Sequence, residues 1–146
     1  MITKIITFNE LSNTALYDCL ALRFNVFVVE QDCIYPELDN IDKDAFHLLA
    51  YENDQLAGYL RIYIDENNYV KIGRIVINKY FRGKDYGKVI INEALNFIPK
   101  TYSNKTIKIN AQQHLKEFYE SFGFKKTSDA YLDYGILHID MELILN

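Results

Sequence analysis

Val70-Lys-Ile-Gly-Arg-Ile-Val-Ile77 is followed without a break by Asn78-Lys-Tyr-Phe81, by Arg82-Gly-Lys-Asp-Tyr-Gly-Lys88 and by Val89-Ile-Ile-Asn-Glu-Ala-Leu-Asn-Phe-Ile98. The first piece is β-branched and reads as a buried strand. The last has apolar residues at Ile90, Ala94 and Phe97 and at Ile91, Leu95 and Ile98. That spacing predicts an amphipathic helix over 86–98, stopping before Pro99. Between them lies a loop with Gly83, Gly87 and three cations, Arg82, Lys84 and Lys88. A helix start offers N–H groups without intrahelical partners and the positive end of a dipole, and glycine lets backbone come close to a ligand. Strand, basic glycine loop and helix together make a phosphate seat.

A second unit follows. Thr106-Ile-Lys-Ile-Asn-Ala111 reads as a strand, and Leu115, Phe118, Tyr119 and Phe122 fall at i, i+3, i+4, i+7, predicting a helix over 113–122 ended by Gly123. The two units resemble motifs A and B of the GNAT (Gcn5-related) N-acetyltransferases. Motif A carries the loop Arg/Gln-x-x-Gly-x-Gly/Ala. Arg82 and Gly87 match its ends, Gly83 is an additional glycine, and Asp85 stands where the family has Gly. Phe118-Tyr-Glu-Ser-Phe-Gly-Phe124 is similar to motif B, Phe-Tyr-x-x-x-Gly-Phe. Arg23-Phe-Asn-Val-Phe-Val-Val-Glu-Gln31 followed by Cys33, and Gly135-Ile-Leu-His-Ile-Asp-Met141, resemble the opening and closing patterns of the ElaA-like branch. The resemblance spans essentially the whole chain.

It implies a single domain over residues 1–146 of the α/β class, with a mixed, mostly antiparallel sheet flanked by helices. It also implies an acetyl-CoA-dependent N-acetyltransferase that passes the acetyl group directly from thioester to a primary amine. By the same resemblance the backbone along Ile75, Val76 and Ile77 holds the pantetheine arm where the strand bulges and parts from its neighbour. The loop Arg82, Gly83, Lys84, Asp85, Tyr86, Gly87 and Lys88 grips the pyrophosphate, and Gln112 takes the place of a cofactor-contacting Asn. Tyr119 occupies the position of the tyrosine that hydrogen-bonds or protonates the CoA sulfur, although from spacing alone it reads as a core tyrosine.

The general base is open among Glu30, His47, His114 and His138. Glu30 is favoured because it ends the apolar run Val26-Phe-Val-Val29; a glutamate in this role needs its pKa raised by burial, or a proxy water. His138, between Ile136 and Ile139, and His47, at the start of an apolar strand, read as satisfied structural histidines. Cys33 as an acyl-carrying nucleophile has no base adjacent in sequence, and direct transfer needs none. The alternatives to this function are a non-catalytic acyl-CoA-binding protein that keeps the fold and an acyl-CoA-dependent synthase with another nucleophile.

Composition agrees. With 146 residues, 49% of them hydrophobic, the chain is one domain with room for a proper core. No run approaches membrane-spanning length, the N-terminus lacks the apolar core of a signal peptide, and two cysteines without zinc-like spacing point to a reduced, cytoplasmic enzyme without a metal. A net charge of −4 argues against nucleic acid as a partner. The expected assembly is a monomer or homodimer. Glu30, Asp32, Glu37, Asp39, Asp42 and Asp44 crowd into fifteen residues with Lys43 as the single cation. This segment reads either as a solvated loop or as a mouth that focuses a cationic amine. Strands are expected near 2–8, 46–52, 56–65, 69–77, 105–111, 124–131 and 136–144. A broken helix is expected near 12–30, with hairpin turns at Asn53-Asp54 and Glu66-Asn67-Asn68.

Overall fold

A computed structural model describes all of residues 1–146. The strands are β1 (Ile2–Thr7), β2 (Phe46–Glu52), β3 (Gln55–Ile64), β4 (Val70–Ile77), β5 (Thr106–Gln112), β6 (Lys125–Lys126), β7 (Tyr131–Asp133) and β8 (Ile136–Ile144). They form one sheet in the order β1-β2-β3-β4-β5-β8-β6, with β7 also paired to β8. Every pairing is antiparallel except β4 with β5. The expected strands lie within a residue of these bounds, apart from that over 124–131. There only Lys125–Lys126 and then Tyr131–Asp133 pair, because Lys125-Lys126-Thr127-Ser128-Asp129 has no apolar face to bury.

Both predicted hairpins are present. Asn53 and Asp54 are both left-handed, with φ of 49° and 64°, as a two-residue turn between twisted strands requires. In the next turn the Asp65 carboxylate accepts the N–H groups of Asn67 and Tyr69.

Helix α1 (Asn13–Arg23) starts at Ser12, whose hydroxyl accepts the Ala15 N–H at 3.0 Å. The predicted break comes as a change of winding, since Phe24–Glu30 is a π-helix. Helix α2 (Tyr86–Thr101) runs past Pro99 instead of stopping before it. In the last turn the missing proline N–H leaves one carbonyl bond unmade, and the Tyr102 N–H still reaches the Ile98 carbonyl at 2.8 Å. The expected helix over 113–122 is a 3₁₀ turn, Gln113–Leu115, and a short α3 (Lys116–Glu120), with Gly123 at φ 101° closing it.

Three layers result. On one face of the sheet Leu48, Leu60, Ile72, Ile107 and Ile109 pack under Ile90, Ile91, Ala94 and Ile98 of α2. On the other, Leu49, Leu56, Tyr59 and Val76 meet Ala15, Cys19 and Leu22 of α1. No helix is long and apolar enough to cross a membrane.

The functional consequence of this topology lies in the middle of the sheet. β4 and β5 pair only at Val70–Ile107 and Lys71–Lys108, and then separate. On its other side β4 bulges: Tyr59 pairs with Val76 and Arg61 with Gly73, so Arg74 and Ile75 together oppose Leu60. Arg74 carries the bulge in the left-handed region, at φ 49°. Bulge and splay leave backbone groups of β4 without a strand to bond.

Candidate active site

A cleft of about 710 Å³ opens at this splay. The β4 segment Ile75, Val76 and Ile77 lines it, together with Phe118 and Tyr119 of α3 and the start of α2. Of the residues expected to hold a cofactor, Arg82, Gly83, Asp85, Tyr86, Gly87, Lys88 and Gln112 also line it. Lys84 does not; its ammonium lies over the Phe81 ring, 5.5 Å from the centroid.

The loop over 82–88, where the sequence leads one to expect a pyrophosphate, accommodates its departure from motif A. Asp85 is the N-cap of α2 and sits in the left-handed region at φ 61°, a conformation glycine adopts freely and Asp tolerates better than most. Its carboxylate does not cap the helix, and the first helical bond is the 3.3 Å contact of the Val89 N–H with the Asp85 carbonyl. The N–H groups of the first turn therefore remain available to an anion. Gly83 is left-handed too, at φ 80°. At Gly87 a Cβ would stand 3.3 Å from Phe118 Cζ, so the glycine lets α3 close on the loop. Tyr86 reaches outward and donates to Glu52 at 2.7 Å.

Arg82 spans the mouth, donating to Glu30 Oε2 at 2.7 Å and Oε1 at 3.1 Å. That bond holds the exposed Glu30 carboxyl below the usual glutamate range. A general base needs the opposite shift, so Glu30 is poorly tuned for the role that its place in the sequence suggested. Gln112 donates to Gln31 at 3.2 Å, tying β5 to the end of the π-helix.

Tyr119 is 5% exposed, packed edge-on against Phe118 and Phe124, and burial pushes its phenol up. Its hydroxyl has no partner within the protein and lies along the cleft.

The three histidines separate. His47 is buried, with Nε2 2.8 Å from the Asp42 carbonyl and Nδ1 2.6 Å from the Tyr59 hydroxyl. The carbonyl only accepts, so Nε2 donates and Nδ1 accepts: a satisfied structural histidine. His114 is exposed at the rim, and His138 lines the cleft half-buried. Cys33 is buried on the same wall, its thiol 3.4 Å from the Tyr134 carbonyl.

The acidic segment divides: Glu30, Asp32 and Asp44 are exposed, whereas Glu37, Asp39 and Asp42 turn inward onto arginines. Glu37 pairs with Arg23 at 2.9 Å and with Arg74, whose Nε stands 2.5 Å away at an angle too poor for a hydrogen bond. Asp42 Oδ1 accepts from Arg23 and Arg61, both at 2.9 Å, and Asp39 takes Arg61 at 2.6 Å. Three arginines thus neutralise three carboxylates, and most of the six side chains are buried. Neither reading of the segment foresaw these partners. The available signal was three arginines set among apolar residues of a helix and two strands, where an unpaired charge would be costly.

Known proteins share both sequence and fold. The family model for the acetyltransferase (GNAT) domain matches residues 13–145. A UPF0039 protein of Schizosaccharomyces pombe is 43% identical over 140 residues, covering 94% of this chain and 93% of its own. The crystal structure of Escherichia coli ElaA superposes with a TM-score of 0.91 at 35% identity, covering 97% of both chains. An acyl-CoA N-acyltransferase from Pseudomonas aeruginosa does so with a TM-score of 0.91 at 34% identity, over 97% of this chain and 99% of its own.

Proposed function

The chain belongs to the GNAT acetyltransferases, in their ElaA-like branch, and is an acyltransferase; on that premise we propose that it moves an acetyl group directly from the thioester of acetyl-CoA to a primary amine. The observation that carries this reading is the continuity of one cleft from the start of α2, along the free edge of β4, to the hydroxyl of Tyr119. In it, residues 82–88 take the pyrophosphate through first-turn N–H groups, Arg82 and Lys88. The β4 backbone at Ile75 and Ile77 takes the amides of the pantetheine arm, in the way a missing strand would.

The amine enters at the other end, among Cys33, Tyr35 and Tyr134. Only the neutral amine has a lone pair to attack, so a proton must leave first. A β4 N–H beside the bulge polarises the thioester carbonyl and then stabilises the oxyanion. Tyr119 donates a hydrogen bond to the departing sulfur. Because burial raises its pKa, it holds its own proton more tightly than a thiol does, and it acts as a donor and not as the source of the final proton. Two free thiols, Cys19 and Cys33, support a reducing, cytoplasmic setting.

Mixing the protein with acetyl-CoA and a panel of primary amines, and following free thiol, tests the proposal. Amine-dependent CoA release with formation of the N-acetyl product is the expected result. Tight CoA binding with no release for any amine overturns it.

A further inference from the structure

We infer that His138 is the general base of the transfer, with Nε2 taking the proton that the acceptor amine must lose. This rests on the reading of the cleft as a thioester and amine site. His138 lies on β8 in register with Gln112 of β5 and Tyr131 of β7, and lines the cleft beside Gln112, Cys33 and Tyr134.

The hydrogen bond at the far side of the ring selects the tautomer. Nδ1 stands 2.8 Å from the carbonyl oxygen of Ile136. A carbonyl has no proton to give, so Nδ1 carries the hydrogen and donates it. The lone pair of the neutral imidazole is then on Nε2. Nε2 has no partner within the protein, and it belongs to a residue that lines the cleft. The ring is also fixed in orientation. It stacks on Tyr131 with centroids 6.2 Å apart and an interplanar angle of 24°, and the Tyr131 hydroxyl is anchored on Asp140 at 2.6 Å. A base nitrogen with its lone pair exposed and the opposite N–H held by an acceptor is the arrangement of a base oriented by a third group. None of the other candidates has it: His47 has both nitrogens bonded, Glu30 is tied to Arg82, and His114 has no orienting partner.

The bound ammonium gives one proton to Nε2, which passes it to solvent. The neutral nitrogen attacks the thioester carbon, forming the C–N bond while the carbonyl pair moves to oxygen. As the oxyanion collapses the C–S bond breaks, and its electron pair leaves on sulfur. The surplus N–H proton of the adduct ends on that sulfur, and Nε2 is its relay. Protonated His138 keeps its Nδ1 bond to Ile136, which becomes charge-assisted. The titratable groups around it are Tyr131 and Asp133 of β7, Asp140 of its own strand, and Cys33 and Tyr134 at the same end of the cleft.

The test uses His138→Gln and His138→Ala with acetyl-CoA and an amine that the wild type accepts. At neutral pH kcat/KM for the amine is expected to fall about 10²- to 10⁴-fold, the usual contribution of a positioned base. CoA affinity by calorimetry should hold, and the acid limb of the pH profile should disappear. Added imidazole should restore part of the activity to His138→Ala. A His138→Gln enzyme within about threefold of wild type, with the same pH profile, overturns the inference. So does a loss that comes with weakened CoA binding and that imidazole does not rescue, which would mark a packing role. A wild type that releases no CoA with any amine fails earlier, at the transfer reading itself, and takes this inference with it.

Discussion

Arg82 donates to both carboxylate oxygens of Glu30 from the loop that opens α2. A pyrophosphate bound there competes with Glu30 for the same guanidinium. The Arg82–Glu30 pair is solvent-exposed on both sides and is worth only about 0–1 kcal/mol, whereas an arginine–phosphate contact of charge-assisted strength contributes about 1.5–3 kcal/mol. Arg82→Ala should therefore weaken CoA binding by roughly ten- to hundredfold in calorimetry, and Glu30→Gln should leave it unchanged or slightly tighter. Unaltered affinity in Arg82→Ala would mean that this loop does not hold the phosphates. Tyr119 offers a different test, because its hydroxyl bonds nothing in the protein while its ring packs against Phe118 and Phe124. Tyr119→Phe should keep the unfolding midpoint and lower kcat by about 10²-fold, the low end for a group acting on the leaving atom. A folded variant with full turnover in a chemistry-limited assay would reduce Tyr119 to a core residue.

At the scale of elements, the site depends on β4 being bent, and the bend is held from outside the strand. Arg74 occupies a left-handed conformation that a long side chain visits at a cost of about 1–3 kcal/mol. Glu37 and Asp39 fix its guanidinium, and Arg23 of α1 and Arg61 of β3 share the same carboxylates. The loop between the π-helix and β2 is thus a clamp on the bulge. Glu37 is the carboxylate common to Arg23 and Arg74 and has no exposed side-chain surface. Glu37→Gln leaves a buried arginine short of its charge partner and should destabilise the protein by about 3–5 kcal/mol in urea unfolding. A change under about 1 kcal/mol would show the cluster to be incidental. The pairing itself is not legible in the sequence, where the carboxylates are local and their arginines stand out only as charges among apolar residues at positions 23, 61 and 74. What was legible is what short-range chemistry writes: strand bounds from β-branched runs, the α2 stripe, turns from Asn and Asp, and the loop from its glycines and cations. The π-helix was foreseen only as a break, because an i, i+5 winding leaves no separate signature in apolar spacing. Pro99 leaves one i→i−4 bond unmade, yet the helix runs on past it because the Tyr102 N–H still bonds the Ile98 carbonyl. The apolar neighbours of His138 in sequence point to a structural side chain. The proposal that it is the base turns on a hydrogen bond to Ile136 that no spacing encodes.

Across the whole molecule, the sheet is stapled on one side by buried charge and by a buried neutral histidine, and both make stability depend on pH in the same direction. Burial holds His47 below the ordinary histidine range, against the pull of the Asp42 carbonyl and carboxylate. Below pH of about 6.5 the unfolded chain binds a proton at His47 that the folded chain does not, so stability there rises with pH and declines as acid is added. Burial also pushes Asp39 and Asp42 up, but the bonds and charges of Arg61, with Arg23 for Asp42 and Arg74 for Asp39, outweigh it and leave both carboxyls lowered. Their contribution is complete above the unfolded aspartate value of about 3.9 and is lost as pH falls from there through the folded values. The urea midpoint of the wild type should accordingly be level near neutrality, fall gently once the pH drops below about 6.5, and fall steeply below about 4. Glu37→Gln, even where it lowers the whole curve, should keep the gentle upper limb, because His47 does not contact Glu37 and its ring bonds only Tyr59 and the Asp42 carbonyl. His47→Gln should flatten that upper limb and keep the acid one. Midpoints that stay constant from pH 7.5 to pH 5 in the wild type would show that His47 is not the buried neutral imidazole that pins the Asp42 backbone to β2 and β3, and the clamp on β4 would then need another anchor.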